Sequence, residues 1–230
     1  MPKRQQPDMP GTWHHVMNRG ARRADIFLSD HHREIFLQRM ATACLRHQLV
    51  VHAFVLMGNH YHLLLESRAG RLSQGMHLLD GAYARCLNMH HHWDGPIFKG
   101  RYRNVVIQTD EQLIATAVYI HENPVRAGLV ARSEAYVWSS AAAYLRDTAV
   151  PAWLMRDFVL GLAGGRENFS TLHTVSPACN FKDPNACDGL ADFKLGHAEY
   201  TKPVAHHSPC AVLAAIDAVL TRVPVSLCVL

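Results

Sequence analysis

The chain has 230 residues, of which 49% are hydrophobic and 18% charged, with a net charge of +4. This composition is typical of a folded globular protein and excludes a disordered tail or a fibrous protein. Residues 1–150 carry 17 basic and 12 acidic side chains and 13 of the 17 histidines, whereas residues 151–230 carry 6 basic and 7 acidic ones. We therefore expect metal chemistry or an anionic partner in a domain of residues 1–150, followed by an extension, 151–230, of unassigned structure.

Membrane insertion and secretion are not expected. The apolar stretch 211–230 is interrupted by Asp217, Arg222 and Pro224, so it lacks the roughly 20 apolar residues of a membrane span. Residues 1–10 have no apolar segment behind their basic side chains, so they do not resemble a signal peptide. The six cysteines form no Cys-x-x-Cys pair, which favours reduced thiols in a cytoplasmic protein.

Secondary structure is indicated by the spacing of apolar residues. β-branched and aromatic runs predict strands at 12–18, 50–57, 60–66 and 101–109, the second and third forming a hairpin. Helical spacing predicts helices over 30–48 and 72–89. A third helix is capped by Thr109 or Asp110 and ends by Asn123, because Pro124 disfavours helical geometry in the preceding residue. A short helix is expected after Tyr136, and 153–162 is a candidate for another; helical periodicity then fades after about Gly164.

This order of elements predicts an α+β fold. Strand, helix, hairpin, helix and strand make the ferredoxin-like split β-α-β sandwich, in which two helices cover one face of an antiparallel sheet. The helix that starts at Asp110 is an addition to this plan.

A pair of histidines is the first candidate functional feature. His60 and His62 lie two residues apart on a predicted strand, so both imidazoles leave the same face and could share one cation. Taken alone, such a pair is more often an ordinary polar or core feature. His14 and His15 point to opposite faces of their strand, so at most one of them can approach the pair. The run 90–92 is expected to be a solvated loop.

A tyrosine and an asparagine share one side of the last helix. Tyr119 and Asn123 are four residues apart, so the phenol and the carboxamide project one turn from each other. If this helix covers the sheet face that carries the histidines, a hydroxyl meets a metal and Asn123 is a candidate third ligand. Such an arrangement suits nucleophilic attack on a phosphate. Asn123 before Pro124 could equally be a simple helix terminator.

Five segments together resemble the REP-associated tyrosine transposases, a family of HUH endonucleases. They are 56–64 (LMGNHYHLL), 119–130 (YIHENPVRAGLV), 15–20 (HVMNRG), 98–102 (FKGRY) and 138–140 (WSS). The resemblance implies that Tyr119 is the nucleophile and that His60, His62 and Asn123 hold Mg²⁺ or Mn²⁺. It also implies a single-stranded DNA substrate with hairpins, and a DNA strand-transfer reaction through a 5′-phosphotyrosine.

Basic and aromatic side chains predict where DNA would bind. Two basic clusters, one of Arg19, Arg22 and Arg23 and one of Lys99, Arg101 and Arg103, lie near Trp13 and Tyr102, a mixture that suits phosphates and stacked bases. Arg126 follows the nucleophile helix. The predicted DNA-contacting set is Arg19, Arg22, Arg23, Lys99, Arg101, Tyr102, Arg103 and Arg126. The oligomeric state stays open between monomer and homodimer.

Two alternatives to an active transposase remain at this stage. One is an inactive or domesticated hairpin-DNA-binding module that keeps the fold and the basic clusters. The other is an RNA-binding ferredoxin-like domain, which would leave the histidine pair and Tyr119 without a role.

Overall fold

The structure is a computed structural model that describes residues 8–148 and 150–175. Its strands are β1 (Thr12–Arg19), β2 (Leu49–Leu56), β3 (His60–Ser67) and β4 (Arg103–Ile107). Its α-helices are α1 (Asp30–His47), α2 (Leu72–His91), α3 (Asp110–Arg126), α4 (Ala141–Leu145), α5 (Asp157–Leu162) and α6 (Arg166–Val175). Most of the predicted elements are therefore present within one or two residues of their predicted bounds.

The four strands form one antiparallel sheet in the order β2-β3-β1-β4. Strand β3 lies antiparallel between β1 and β2, so β1 and β2 run parallel to each other and the connection through α1 crosses over. This is the ferredoxin-like split β-α-β arrangement, and it confirms the predicted fold class.

The two faces of the sheet carry two separate cores. Helices α1 and α2 pack on one face, where Phe36 and Tyr83 meet Val16, Leu63 and other strand residues. Helix α3 packs on the opposite face with α5 and α6, and its residue Ala117 meets strand residues such as Leu64. Because residues of alternating position face opposite sides of a strand, β3 places Leu63 in the first core and Leu64, together with His62 and His60, on the α3 side.

The prediction that the last helix ends by Asn123 is wrong, because α3 continues through Pro124 to Arg126. A proline in a helix leaves the carbonyl four residues earlier, here that of Ile120, without its backbone donor. The side-chain Nδ2 of Asn123 lies 3.5 Å from that oxygen and donates to the carbonyl of Tyr119 at 2.8 Å. The asparagine thus supplies a donor near the carbonyl that Pro124 leaves open, and the helix tolerates the proline.

Three other expectations need correction. The fourth strand covers only Arg103–Ile107, since the residues before it form a loop. Helix α2 extends to His91, so His90 and His91 belong to its last turn rather than to a solvated loop. A further helix, α6, follows Gly164 although no clear periodicity predicts it, and its Phe169 is fully buried.

The segment 138–140 covers the free edge of β2. The amide of Leu56 donates to the carbonyl of Trp138 at 2.9 Å, and the amide of Ser140 donates to the carbonyl of Phe54 at 3.0 Å. The hydroxyl of Ser140 also accepts from the amide of Phe54 at 2.9 Å. Unpaired edge groups would invite another strand, so this segment both satisfies and protects the sheet.

The chain from 151 to 175 packs onto the same core as the predicted domain. Val159 is fully buried against the α3 face, and so is Phe169. The division into a domain of residues 1–150 and an extension of residues 151–230 stays a prediction, because residues 176–230 lie outside the described part of the chain. Among the helices that are described, none has the length and apolar content needed to cross a membrane.

Candidate active site

The two predicted metal ligands lie side by side at the start of β3. The ring centroids of His60 and His62 are 5.2 Å apart, with the ring planes at 90°. Both leave the sheet on the face that α3 covers, as their spacing of two residues predicts.

The tautomer of His60 follows from its hydrogen bond to Asn59. Nδ1 of His60 lies 2.7 Å from Oδ1 of Asn59, and an amide oxygen only accepts, so Nδ1 carries the proton and donates. The Nε2 atom therefore keeps its lone pair, which is the form that binds a metal. The other atom of the same amide, Nδ2 of Asn59, donates to the carbonyl of Arg23 at 3.1 Å. One side chain therefore contacts both the imidazole of His60 and the short turn Ala21–Arg23, the arginine turn.

His15 is the member of the site that the sequence did not single out, although the strand pattern allows one of His14 and His15 to reach it. Nε2 of His15 lies 2.9 Å from Nδ1 of His62. If Nδ1 of His62 donates this hydrogen bond, Nε2 of His62 keeps the lone pair that a metal needs. His14 faces the other way and contacts Thr12 at 2.8 Å.

Burial keeps these histidines neutral. Desolvation lowers the pKa of His15 to about 4. Desolvation, reinforced by the neighbouring His15 and His60, holds the pKa of His62 well below its ordinary value. The pKa of His60 is lowered by burial and by the charge of Arg19. Neutral imidazoles present lone pairs instead of repelling a cation, so the site is prepared for metal binding.

Tyr119 lies over the histidines. Its ring stands edge-on to His62 and His15, with centroid distances of 5.6 and 5.7 Å. The guanidinium of Arg126, one of the predicted DNA-contacting residues, lies 5.2 Å from the same ring on the last turn of α3. The structure therefore brings the predicted nucleophile to the histidine pair through His62, within one chain.

Asn123 lies one turn beyond Tyr119 and is half-buried. Its Nδ2 donates to the carbonyl of Tyr119, which turns the amide group and leaves Oδ1 as the ligating atom of this side chain. A ligand role is compatible with this hydrogen bond, because amides bind hard cations through oxygen.

An open cleft of about 620 Å³ leads to the histidine pair. His60 and His62 line it together with both predicted basic clusters, which come from the end of β1 and from the loop before β4. The predicted residues in this lining are Arg19, Arg23, Lys99, Arg101 and Arg103. Backbone hydrogen bonds join the two segments, since the amide of Lys99 donates to the carbonyl of Arg19 at 2.9 Å.

Three predicted contact residues lie outside the lining of this cleft: Arg126, which lies against Tyr119, and Tyr102 and Arg22. Tyr102 lines a neighbouring pocket of about 380 Å³ beside α2, and burial raises its pKa. Arg22 sits with Arg23 in a short turn where both have positive φ, 54° and 64°. Such backbone conformations are uncommon for residues other than glycine and concentrate at functional sites.

The donor set fits a hard divalent cation. Two neutral imidazoles and one amide oxygen supply part of a coordination sphere, and the cleft leaves room for phosphate and water oxygens to complete it. The residues that could hold such an ion are His60, His62 and Asn123, with His15 behind them.

Fold and site together define a ferredoxin-like domain with a histidine pair that faces a tyrosine on an added helix. The family model of IS200-like transposases matches residues 9–123, which is half of the chain and includes both histidines and Tyr119. The chain belongs to the IS200-like transposase family.

A solved structure shows the same fold. A REP-associated tyrosine transposase bound to a REP hairpin superposes with a TM-score of 0.54 at 15% sequence identity, covering 67% of this chain and 91% of the other. A putative transposase from Deinococcus radiodurans R1 is 16% identical with a TM-score of 0.37, covering 55% and 92%. No curated protein matches the chain.

Proposed function

We propose that this protein is a tyrosine transposase that cuts and rejoins single-stranded DNA near a hairpin, with Tyr119 as the nucleophile. The observation that carries the proposal is the position of Tyr119, whose ring centroid lies 5.6 Å from that of His62, and His62 lines the arginine-rich cleft. A phenol, two neutral imidazoles and a basic cleft are the groups that attack on a phosphodiester requires.

Each group has a defined task in this reaction. The phenolic oxygen of Tyr119 forms a bond to phosphorus and loses its proton, while the 3′ oxygen of the DNA leaves as a hydroxyl. The product is a 5′-phosphotyrosine and a free 3′-OH, and attack by a 3′-OH on this ester reverses the step and joins strands. No nucleotide cofactor is required, since the energy of the phosphodiester is kept in the tyrosine ester.

His60 and His62 would hold the divalent ion, with Oδ1 of Asn123 as the third protein ligand. A bound Mg²⁺ or Mn²⁺ supplies Lewis-acid polarisation of the scissile phosphate. Asn59 holds His60 in the tautomer that leaves Nε2 free for the ion, and His15 would do the same for His62 by accepting a hydrogen bond from its Nδ1.

The basic lining of the cleft would position the strand. Phosphates of the strand would be contacted by the basic residues of the lining, which are Arg19, Arg23, Lys99, Arg101 and Arg103. Arg126 would neutralise the charge of the phosphate that Tyr119 attacks. Arg22 and Tyr102 lie next to this path and would contact a longer strand or a stacked base. The structural relative bound to a REP hairpin supports hairpin DNA as the partner.

The test is the formation of a covalent adduct with a labelled library of hairpin-containing single strands, with Mn²⁺ or with chelator, on a denaturing gel. We expect a metal-dependent adduct that Tyr119→Phe abolishes while hairpin binding survives. The matched control is Tyr136→Phe, which removes a hydroxyl that donates to the carbonyl of Leu56. An adduct that persists in Tyr119→Phe overturns the assignment, and binding without any adduct in the unmodified protein identifies an inactive DNA-binding module instead.

A further inference from the structure

A second group of histidines lies at the junction of α1 and α2. Within the described residues, His32, His90 and His91 are the one group of three His, Cys, Asp or Glu side chains whose ligand atoms all lie within 4.8 Å of one another. His32 is in the first turn of α1, and the other two are in the last turn of α2. They play no part in the reaction proposed above.

We propose that His32, His90 and His91 form a separate site for a tetrahedral transition-metal ion, with Zn²⁺ as the best-fitting ion. Three imidazoles with one position left to solvent are a common zinc ligand set. The donor atoms are all nitrogen, which favours zinc and its neighbours over the oxygen-seeking Mg²⁺ and Mn²⁺.

The spacing of the nitrogens fits this geometry. Nε2 of His32 lies 3.3 Å from Nε2 of His91. Zn–N bonds of about 2.0–2.1 Å at tetrahedral angles separate two nitrogens by about 3.3–3.4 Å. One ion can therefore bind both atoms without a change in their separation.

The third ring completes one side of the site. The ring centroid of His90 lies 5.6 Å from that of His32 and 4.8 Å from that of His91. His90 is exposed and can rotate toward an ion, whereas His91 is held by stacking on Trp93 at a centroid distance of 4.5 Å. Two ligands are thus fixed and one is adjustable.

Burial also prepares His32 for this role. Its side chain is 3% exposed, and its Nδ1 is buried without a hydrogen-bond partner among the described residues, so its polar contacts lie on the Nε2 side. The positive charge of Arg33, next in the chain, is paired with Asp30 at 3.1 Å. Nε2 is therefore the atom through which His32 would bind an ion, and it is the atom that faces His91.

A metal here would link the two helices that cover one face of the sheet. The start of α1 and the end of α2 are far apart in sequence, and both helices pack in the same core. A bond between their ends restricts their separation, so zinc would raise the thermal stability of the fold without entering the DNA cleft.

The experiment is a calorimetric Zn²⁺ titration of the full chain, with any affinity tag removed, in a His60→Gln, His62→Gln background that eliminates the other histidine pair. We expect one zinc ion per chain, and a rise in Tm on the order of 5–10 °C at a Zn²⁺ concentration about 100-fold above Kd. Substitution by Co²⁺ should give the visible absorption bands of a tetrahedral site.

Variants assign the site to these residues. His91→Gln and His90→Gln should each weaken zinc binding at least tenfold, and the double variant should abolish it; both leave the buried His32 in place. The matched control is His92→Gln, which removes the adjacent histidine of the same run and should leave binding unchanged. The proposal is overturned if no saturable binding occurs, if the double variant still binds, or if His92→Gln weakens binding as much as the others.

Discussion

Nε2 of His15 on β1 lies 2.9 Å from Nδ1 of His62 on β3, so the strand next to the histidine pair orients one member of the pair. Adjacent antiparallel strands place residues of the same face close together, and β1 and β3 are neighbours in the sheet. His15 is therefore a positioning residue whose role depends on the pairing of two distant segments.

Replacing His15 should lower the affinity for the metal ion and leave the affinity for DNA unchanged. His15→Phe keeps a ring of similar size but removes the acceptor that faces Nδ1 of His62, so the Mn²⁺ concentration for half-maximal cleavage should rise about 10–100-fold. Hairpin affinity in chelator should stay the same. The matched control is His14→Gln on the opposite face of β1, and an equal effect of both variants would indicate a general loss of structure.

Two substitutions of Asn59 should separate the effects of its two hydrogen bonds on metal-dependent cleavage. Asn59→Asp keeps an acceptor for Nδ1 of His60 but loses the donor to the carbonyl of Arg23, whereas Asn59→Leu loses both. We expect Asn59→Leu to impair metal-dependent cleavage about 10–100-fold and Asn59→Asp to retain most of it. Cleavage measured against Mn²⁺ concentration checks this, and equal losses in both variants would contradict the tautomer argument.

Removing positive charges from the cleft should weaken DNA binding by a similar factor for DNA of any sequence. Lys99→Gln and Arg101→Gln each remove one charge from the cleft lining. Each should raise Kd by a similar factor for hairpins of different sequence, and each should reduce the slope of log Kd against log salt by about 0.7–1. The control is Arg85→Gln, an exposed position on α2 outside the lining. An unchanged slope in the cleft variants would exclude phosphate contacts there.

The metal-free protein should lose stability as pH falls from about 6.5 to about 4. The pKa of His15 is lowered to about 4 by burial, and that of buried His121 is held well below its ordinary value. The unfolded chain binds protons near pH 6.5 that the folded chain does not, so their contribution is complete above pH 6.5 and lost toward the folded pKa. Asp80 opposes this trend between about pH 6 and 4, because burial raises its pKa to about 6.

Thermal unfolding in chelator at pH 8, 6.5 and 5 measures this dependence. His121→Gln should flatten the decline in Tm, and exposed His92→Gln should not. A Tm that increases from pH 6.5 to pH 5 would show that Asp80 outweighs the histidines.

Removing the buried Phe169 of α6 should destabilise the core on the α3 side of the sheet. Phe169 is fully buried and packs against Tyr144 at a centroid distance of 4.9 Å. Phe169→Ala should lower the free energy of unfolding by about 3–5 kcal/mol, measured by urea denaturation. Leu129→Ala, at a position that is 55% exposed, is the control. An unchanged stability would mean that the helices after residue 150 are not part of the domain core.

Much of the fold follows from local patterns. The apolar run of β2 and the helical spacing of α1 identify their elements because burial on a sheet or a helix repeats with a fixed period. Helix α6 is not predicted from its sequence, because its buried apolar side chains, Phe169 and Leu172, are too few to make a repeated stripe. The end of α3 was mispredicted because the Asn123 side chain offsets the effect of Pro124, and that compensation depends on the geometry of the folded helix.

The sequence by itself determined the histidine pair, its common face and the tyrosine helix, because a period of two on a strand and of about 3.6 on a helix fixes which side chains point together. Only the tertiary structure decided that His15 supports His62, that Asn59 joins the pair to the arginine turn, and that His32 meets His90 and His91. These contacts join residues 47, 36 and about 59 positions apart. Their distances are set by strand order and helix packing, which no local pattern records.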